Sequence, residues 1–470
     1  MKFKQIAAIA LLLLVCDSGY FIERKDFIHL ISIYACAFAI YFYVLRSTQT
    51  EKDIDYWIKI SLILRGVLLF SLPQFSEDVY RFIWDGRLIH LGINPFNFKP
   101  SYFVDNQLFT EVLTPELFSK LNSKEYFTVY PSVCQGIFTF SVALFPKSIF
   151  GSIVVIKAFI LAGEVGTIFL MKKILPASQK ILMYALNPLI IIELCGNVHF
   201  EALMIFFLLL SILLLSKIWN HSRNVEIAFL TSPKNQTFLL LKSSIALALS
   251  IATKMLPLML LPLFIKRLGL KRSFIYFLMV GSATLLLFLP LFNAVFIGNI
   301  KSSLSLYFQK FEFNASLYYL LREVGIYLKG YNPISEIAPI MTSLVLIGIL
   351  LLMIVDFFKK NTNPQDSQTA LWTEKDNIFP TFLFALSIYF LCATTVHPWY
   401  AALPLALSVF TRFTYIMVWT SLLPLTYIHY SYPKPTENYI VIFLEYALVL
   451  SFAIYEIFFK NRVTRSKIDF

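Results

Sequence analysis

Charge is scarce in this sequence. Of its 470 residues only 14% are Asp, Glu, Lys or Arg, and 58% are hydrophobic. A soluble domain carries about a quarter charged and about half apolar residues, so a water-soluble globular fold is excluded. Cysteine is nearly absent: Cys16, Cys36, Cys134, Cys195 and Cys392 are scattered, four of them inside apolar runs. Their scatter excludes a disulfide framework and a metal-ligand spacing, and leaves small buried hydrophobes. The ten-residue alternation of an outer-membrane barrel is missing, as are internal repeats and inverted symmetry. The net charge is +12, yet the basic residues sit in short connections between apolar runs. That pattern marks membrane topology and provides no patch for nucleic acid.

What the chain does contain is apolar runs of about 15 to 23 residues from end to end, each long enough to span or nearly span a bilayer. The sequence predicts an all-α polytopic membrane protein, one domain over residues 1–470 with about 12–14 transmembrane helices, several of them short or broken. Lys2 and Lys4 hold the N-terminus in the cytoplasm. The run 6–22 has no small-residue cleavage site after it and reads as a retained first span. Residues 23–26 then form an outer turn, 27–45 return, 46–59 make a polar cytoplasmic connection, and 60–72 go out again with Arg65 inside. The stretch 130–145 is expected to lie at the membrane surface as a juxtamembrane helix. A full crossing there would turn Lys172, Lys173 and the basic stretch 217–242 outward. Later spans leave the polar loop 361–376 and the basic tail 460–467 inside. Both termini are cytoplasmic, in a plasma or inner membrane. Residues 73–128, 196–201, Lys254, 293–335 and His397 fall together on the extracytoplasmic side.

The first of these segments carries the densest chemistry. It opens Ser76-Glu77-Asp78-Val79-Tyr80-Arg81-Phe82-Ile83-Trp84-Asp85-Gly86-Arg87 and continues to Gly92-Ile93-Asn94-Pro95-Phe96. Ser76 is suited to cap a helix whose first turn holds Glu77 and Asp78, where the dipole favours negative charge. Asp78, Arg81 and Asp85 would share one helix face, and Gly86 and the following Gly-Ile-Asn-Pro stretch are expected to break the helix.

Charged groups beside a membrane interior are costly and are functional candidates by default. Lys254 must either snorkel or find a partner. His199 and Glu201 close a helix, as a hydrogen-bonded pair or as part of a site, and His397 precedes Pro-Trp-Tyr at a helix end. Together they suggest a site for a phosphorylated lipid. Arg81, Arg87, Lys254 and His397 are suited to neutralise a phosphate, and Asp78 to take a proton from an acceptor hydroxyl. Glu77 and Asp78 also offer oxygen ligands to a divalent cation, without a second carboxylate cluster to complete a metal site.

These motifs resemble those of the GT-C class of integral-membrane glycosyltransferases. The Ser76–Arg87 run with Gly92–Phe96 looks like the first extracytoplasmic loop of polyprenol-phosphate-mannose-dependent mannosyltransferases, with Phe82 as a departure. Tyr130-Pro131, Asn187-Pro188, His199-Phe200-Glu201, Lys254, Phe313-Asn314-Ala315-Ser316 and His397-Pro398-Trp399-Tyr400 are similar to further landmarks of that family, in the same order. Glu201 stands where the family often has Asp. The resemblance spans roughly residues 73–405. It implies inverting transfer of a hexose, mannose above all, from a polyprenyl-phosphate sugar donor to a glycan or lipid-linked acceptor. The reaction would run at the extracytoplasmic face with Asp78 as general base and Glu77 beside it. Trp84, Asp85, Asn94, His199, Glu201, Asn314 and Tyr400 would contact substrate. The competing classes are a transporter or flippase of lipid-linked saccharides, which needs a polar path across the membrane and often repeated halves, and a ligase using a different lipid donor.

Overall fold

The computed structural model describes residues 2–219, 233–309, 311–358 and 377–460. The polar loop 361–376 and nearly all of the 460–467 tail lie outside the described residues. Among those described, the chain is helical throughout apart from one isolated β-bridge, Phe313 to Thr395. Eight helices are long and apolar enough to cross a membrane: Phe3–Tyr20, Phe27–Ser47, Ile149–Ile174, Glu201–Ile218, Asn235–Thr253, Leu270–Leu291, Ile334–Phe358 and Tyr439–Phe459. Between them, among the described residues, lie shorter and broken helices. Proline cannot donate to the helical ladder, and it opens or interrupts Pro188–Ile190, Leu256–Phe264, Ala402–Ser408 and Leu423–Tyr430.

The expected polar connection at 46–59 is replaced by a helix. Thr50 accepts a hydrogen bond from Asp53 N–H and caps Glu51–Val67, whose first turn holds Glu51 and Asp53. The acidic start suits the helix dipole. Its buried Arg65 is neutralised by Glu164 at 2.9 Å, both fully buried, and also donates to the Ala185 carbonyl at 2.6 Å. Tyr184 completes the set on Glu164 at 2.6 Å. At the far end of this helix, Lys157 donates to the Leu68 carbonyl and to Ser71 Oγ. Lys172 pairs with Asp55 and Lys4 with Asp53 at the helix's beginning, so these bases occupy the end of the bundle opposite residues 73–128.

Residues 73–128 cap the other end. Their main helix, Asp78–His90, runs straight through Gly86. The expected break is absent because Gly86 serves close packing: a Cβ there would stand 2.6 Å from the Phe138 carbonyl oxygen. That contact lets Phe82 stack on Phe138 at 4.5 Å. The chain turns instead at Gly92, whose φ of +76° is left-handed. Phe138 belongs to Ser132–Leu144, a helix of 13 residues. At 1.5 Å per residue it is about 20 Å long, too short for a hydrocarbon core of about 30 Å. It lies against the Asp78–His90 helix as a platform.

Replacing Gly86 by Ala should lower the thermal unfolding midpoint of the purified protein, at a cost of about 1–3 kcal/mol, because the clash is with backbone that cannot swing aside. Gly66 has nothing within 4 Å of its Cβ position, so Gly66→Ala should be neutral or stabilising by about 0.5–1 kcal/mol.

Candidate functional site

The motif at the start of the Asp78–His90 helix divides into an outer and an inner half. Ser76 does not occupy the cap position, which Glu77 takes, but its Oγ still accepts from Asp78 N–H at 3.3 Å. Glu77 is paired with Arg24 at 2.6 Å. Arg24 also donates to the Phe75 carbonyl and lies 4.0 Å over the Tyr430 ring. Asp78 is half-buried, and its Oδ1 accepts from Asn122 at 2.8 Å. This single amide fixes one carboxylate oxygen.

The inner half is structural. Arg81, 2% exposed, pairs with Asp85 at 2.8 Å and donates to the carbonyls of Ser123 and Tyr126. Asp85 accepts in turn from Gln135 at 3.1 Å. Arg87, expected like Arg81 to meet phosphate, is buried with its Nη1 on the Val112 carbonyl, and burial pushes it down from the ordinary arginine value. Trp84 is fully buried between Phe103 and Phe118. Asn94 spans a turn, from Phe96 N–H to the Leu291 carbonyl. These residues fold residues 73–128 onto themselves.

A second wall comes from residues 191–201. A π-turn, Ile191–Gly196, precedes Asn197, a distortion often found at functional sites. Asn197 Oδ1 accepts from the Gln74 and Phe75 amides and so pins the start of the loop. Val198 has φ +67°, a strained conformation for a β-branched residue. It delivers His199 against Trp399, the rings stacked at 3.7 Å. His199 Nε2 is buried without a hydrogen-bond partner, 3.6 Å from Glu193. Glu201 is paired with Lys254, whose side chain is 34% exposed and stands 4.4 Å over the Tyr400 ring.

The third wall holds His397, stacked between Trp399 at 4.5 Å and Phe313 at 4.8 Å. Burial, with His199, Lys254, His429 and Arg24 adding positive charge, pushes His397 down to about 3. It is therefore neutral at ordinary pH and can donate a hydrogen bond but no charge, which alters its expected role toward phosphate. Its Nδ1 is also without a partner. Asn314, with φ +46°, is buried and committed to Glu445 at 3.1 Å. It anchors the bridged segment beside His397, and its Oδ1 has no partner.

The expected residues thus separate. Glu77, Asp78, His199, Glu201, Lys254, His397 and Tyr400 gather at one end of the bundle. Arg81, Trp84, Asp85, Arg87, Asn94 and Asn314 hold the surrounding chain in place. Sequence reasoning missed Arg24, Glu193, His429 and Tyr430. Only their placement in or near the outer turns could have found Arg24 and His429. Glu193 lies inside an apolar run, where its partners Tyr34 and Tyr427 come from distant helices. Among the described residues no group of three or more His, Cys, Asp or Glu could hold a metal ion, and the Glu77–Asp78 pair has Glu77 already taken by Arg24.

The fold and the one-ended cluster define a polytopic membrane protein with a polar cluster at one end of its helices. Residues 36–268 match the family model described as alpha-(1->6)-mannopyranosyltransferase, N-terminal domain. That stretch includes the Asp78 loop, His199, Glu201 and Lys254, and over it the chain is similar to this mannosyltransferase family. No curated protein and no solved structure matches the chain.

Proposed function

We propose that the protein transfers a mannosyl unit from a polyprenyl-phosphate donor to a glycan or lipid-linked acceptor at the extracytoplasmic face, with inversion, forming an α-(1→6) linkage. The observation that carries the reading is the division of the Asp78 motif. Its inner charges are held in the loop and Glu77 is paired with Arg24, whereas Asp78 is half-exposed at the helix start with one oxygen fixed by Asn122. Asp78 takes the proton of the acceptor hydroxyl as that oxygen attacks C1 of the sugar. The bond from C1 to the phosphate oxygen breaks on the opposite face, and the lipid phosphate leaves with the electron pair. A single displacement of this kind gives an α product from a β-linked donor.

Lys254 is the mobile cation of the site, held by Glu201 and partly exposed, and it stabilises the departing phosphate by a charge-assisted contact. The unpartnered nitrogens of His199 and His397 supply hydrogen-bond donors there. Stacked aromatic rings exclude water, which favours transfer over hydrolysis.

In purified protein assayed with a labelled polyprenyl-phosphate mannose, Asp78→Asn should lose roughly 10²- to 10⁴-fold in rate, the usual worth of general base catalysis, while donor binding survives. Glu77→Gln should retain most of its activity, because Glu77 serves Arg24. The opposite result would transfer the base to Glu77, and two active variants would remove the loop from the chemistry. Lys254→Ala should weaken donor use by about 10-fold or more, since a charge-assisted contact is worth about 1.5–3 kcal/mol; unchanged donor dependence would leave Lys254 a structural partner of Glu201. For the side of the membrane, Asn106→Cys should react with an impermeant thiol reagent added outside intact cells and Lys172→Cys should not. Reaction at Lys172→Cys alone would invert the assignment.

A further inference from the structure

We infer that residues 97–127 carry a second sugar site, an open cleft of about 370 Å³ that holds a hexose unit of the acceptor glycan behind its growing end. The inference rests on the transferase reading for its direction, since it places the growing end at Asp78.

Four observations lead there. The first is the lining. Phe98 and Tyr102 stack at 4.6 Å, 37% and 42% exposed, beside Asn97, Asp105, Asn106 and Glu125. A hexose has an apolar C–H face and a rim of hydroxyls. The electron-rich face of an aromatic ring meets the first, and amides and carboxylates, which donate and accept at fixed angles, meet the second. Exposed rings among such groups match both faces of a hexose, and the volume lies within the range of small-ligand clefts.

The second is rigidity. Tyr102 rests edge-on against Phe103, which packs on buried Trp84. The platform is thus braced by the same side chain that centres residues 73–128, and a site on a braced element keeps its geometry. Asn106 donates to the Tyr102 carbonyl at 2.8 Å, leaving its amide oxygen for a ligand. The third is strain. Gln107 and Phe109, just beyond Asn106, both adopt left-handed backbone, with φ of +52° and +54°. Such conformations persist where surroundings impose them and gather at ligand sites.

The fourth is position. Asn122 holds Asp78, Ser123 and Tyr126 hold Arg81, and Glu125 and Phe127 line the cleft. Ser101 closes the other side, donating from its amide to the Lys124 carbonyl and from its hydroxyl to Glu125 at 3.0 Å. Asn122 and Glu125 are three residues apart, no more than about 11 Å along an extended chain. A glycan whose end sits at Asp78 therefore lays its preceding units across this wall into the cleft.

The test is binding of an α-(1→6)-linked mannohexaose to the full chain in detergent, read by saturation-transfer NMR, with transfer to octyl α-mannoside measured in parallel. Wild type and Asp78→Asn should bind the hexasaccharide, and Tyr102→Ala should bind it about tenfold or more weakly, the scale of a hot-spot truncation. Tyr102→Leu keeps the packing on Phe103 and should lose binding likewise. Both Tyr102 variants should transfer mannose to octyl α-mannoside at the wild-type rate, because a single sugar at Asp78 does not reach the cleft. Equal hexasaccharide binding in wild type and both Tyr102 variants would overturn the cleft, as would absence of binding in a wild type that transfers. A wild type that transfers nothing sinks the transferase reading, and the binding comparison still decides the cleft.

Discussion

The Arg81–Asp85 pair is the interaction on which the site depends. Two full charges sit 2.8 Å apart inside residues 73–128 with almost no exposure. A buried pair of this kind gains little over an apolar substitute, but losing one partner costs about 3–5 kcal/mol because the other charge is stranded. The guanidinium here does more than answer Asp85. It gathers the carbonyls of Ser123 and Tyr126, and so draws the returning chain over the Asp78–His90 helix. Asn122, next in that chain, reaches Asp78 only because Ser123 is held. The position of the candidate base thus follows from a charge pair one turn deeper in the helix.

The same economy appears in the second wall. Asn197 fixes the start of the loop through two backbone amides, and Glu193, taken by Tyr34 and Tyr427, lies one turn below it. A carboxylate in an apolar bundle would be expensive alone. With two phenols it becomes a peg that sets three helices against the loop. The strained Val198 between Asn197 and His199 is imposed by these neighbours, and it turns His199 onto Trp399. Buried polar contacts in this protein thus position residues that themselves keep unpartnered atoms.

Fold class was legible because apolar length needs no tertiary context, and the Asp78 motif was legible because its charges stand out in a greasy chain. Two readings failed for reasons of packing. Gly86 looked like a breaker, yet a glycine absent of side chain is also where two helices can touch, and only Phe138 reveals which. Residues 46–59 looked like a loop because their charges conceal a helix that Arg65 enters only with Glu164 beside it, 99 positions away. For Arg81 and Arg87 the sequence shows charge but not the carbonyls of Ser123, Tyr126 and Val112 that they meet. Arg24 was passed over for the converse reason, since a single arginine in a short turn carries no sign that Glu77 and Tyr430 will meet it.

The placement of charge also bears on the choice between transfer and transport. A path across a membrane needs polar groups that can exchange partners along its length. Deep in this bundle the ionisable groups are each committed: Arg65 to Glu164 and the Ala185 carbonyl, Lys157 to Leu68 and Ser71, Glu193 to two tyrosines, Glu445 to Asn314 and Trp419. Releasing any of them would strand a charge in apolar surroundings. Asp78, Lys254, His199 and His397 stand at one end. A bundle paired through its middle and polar at one end suits transfer better than transport, and the buried pairs also keep those four side chains in register.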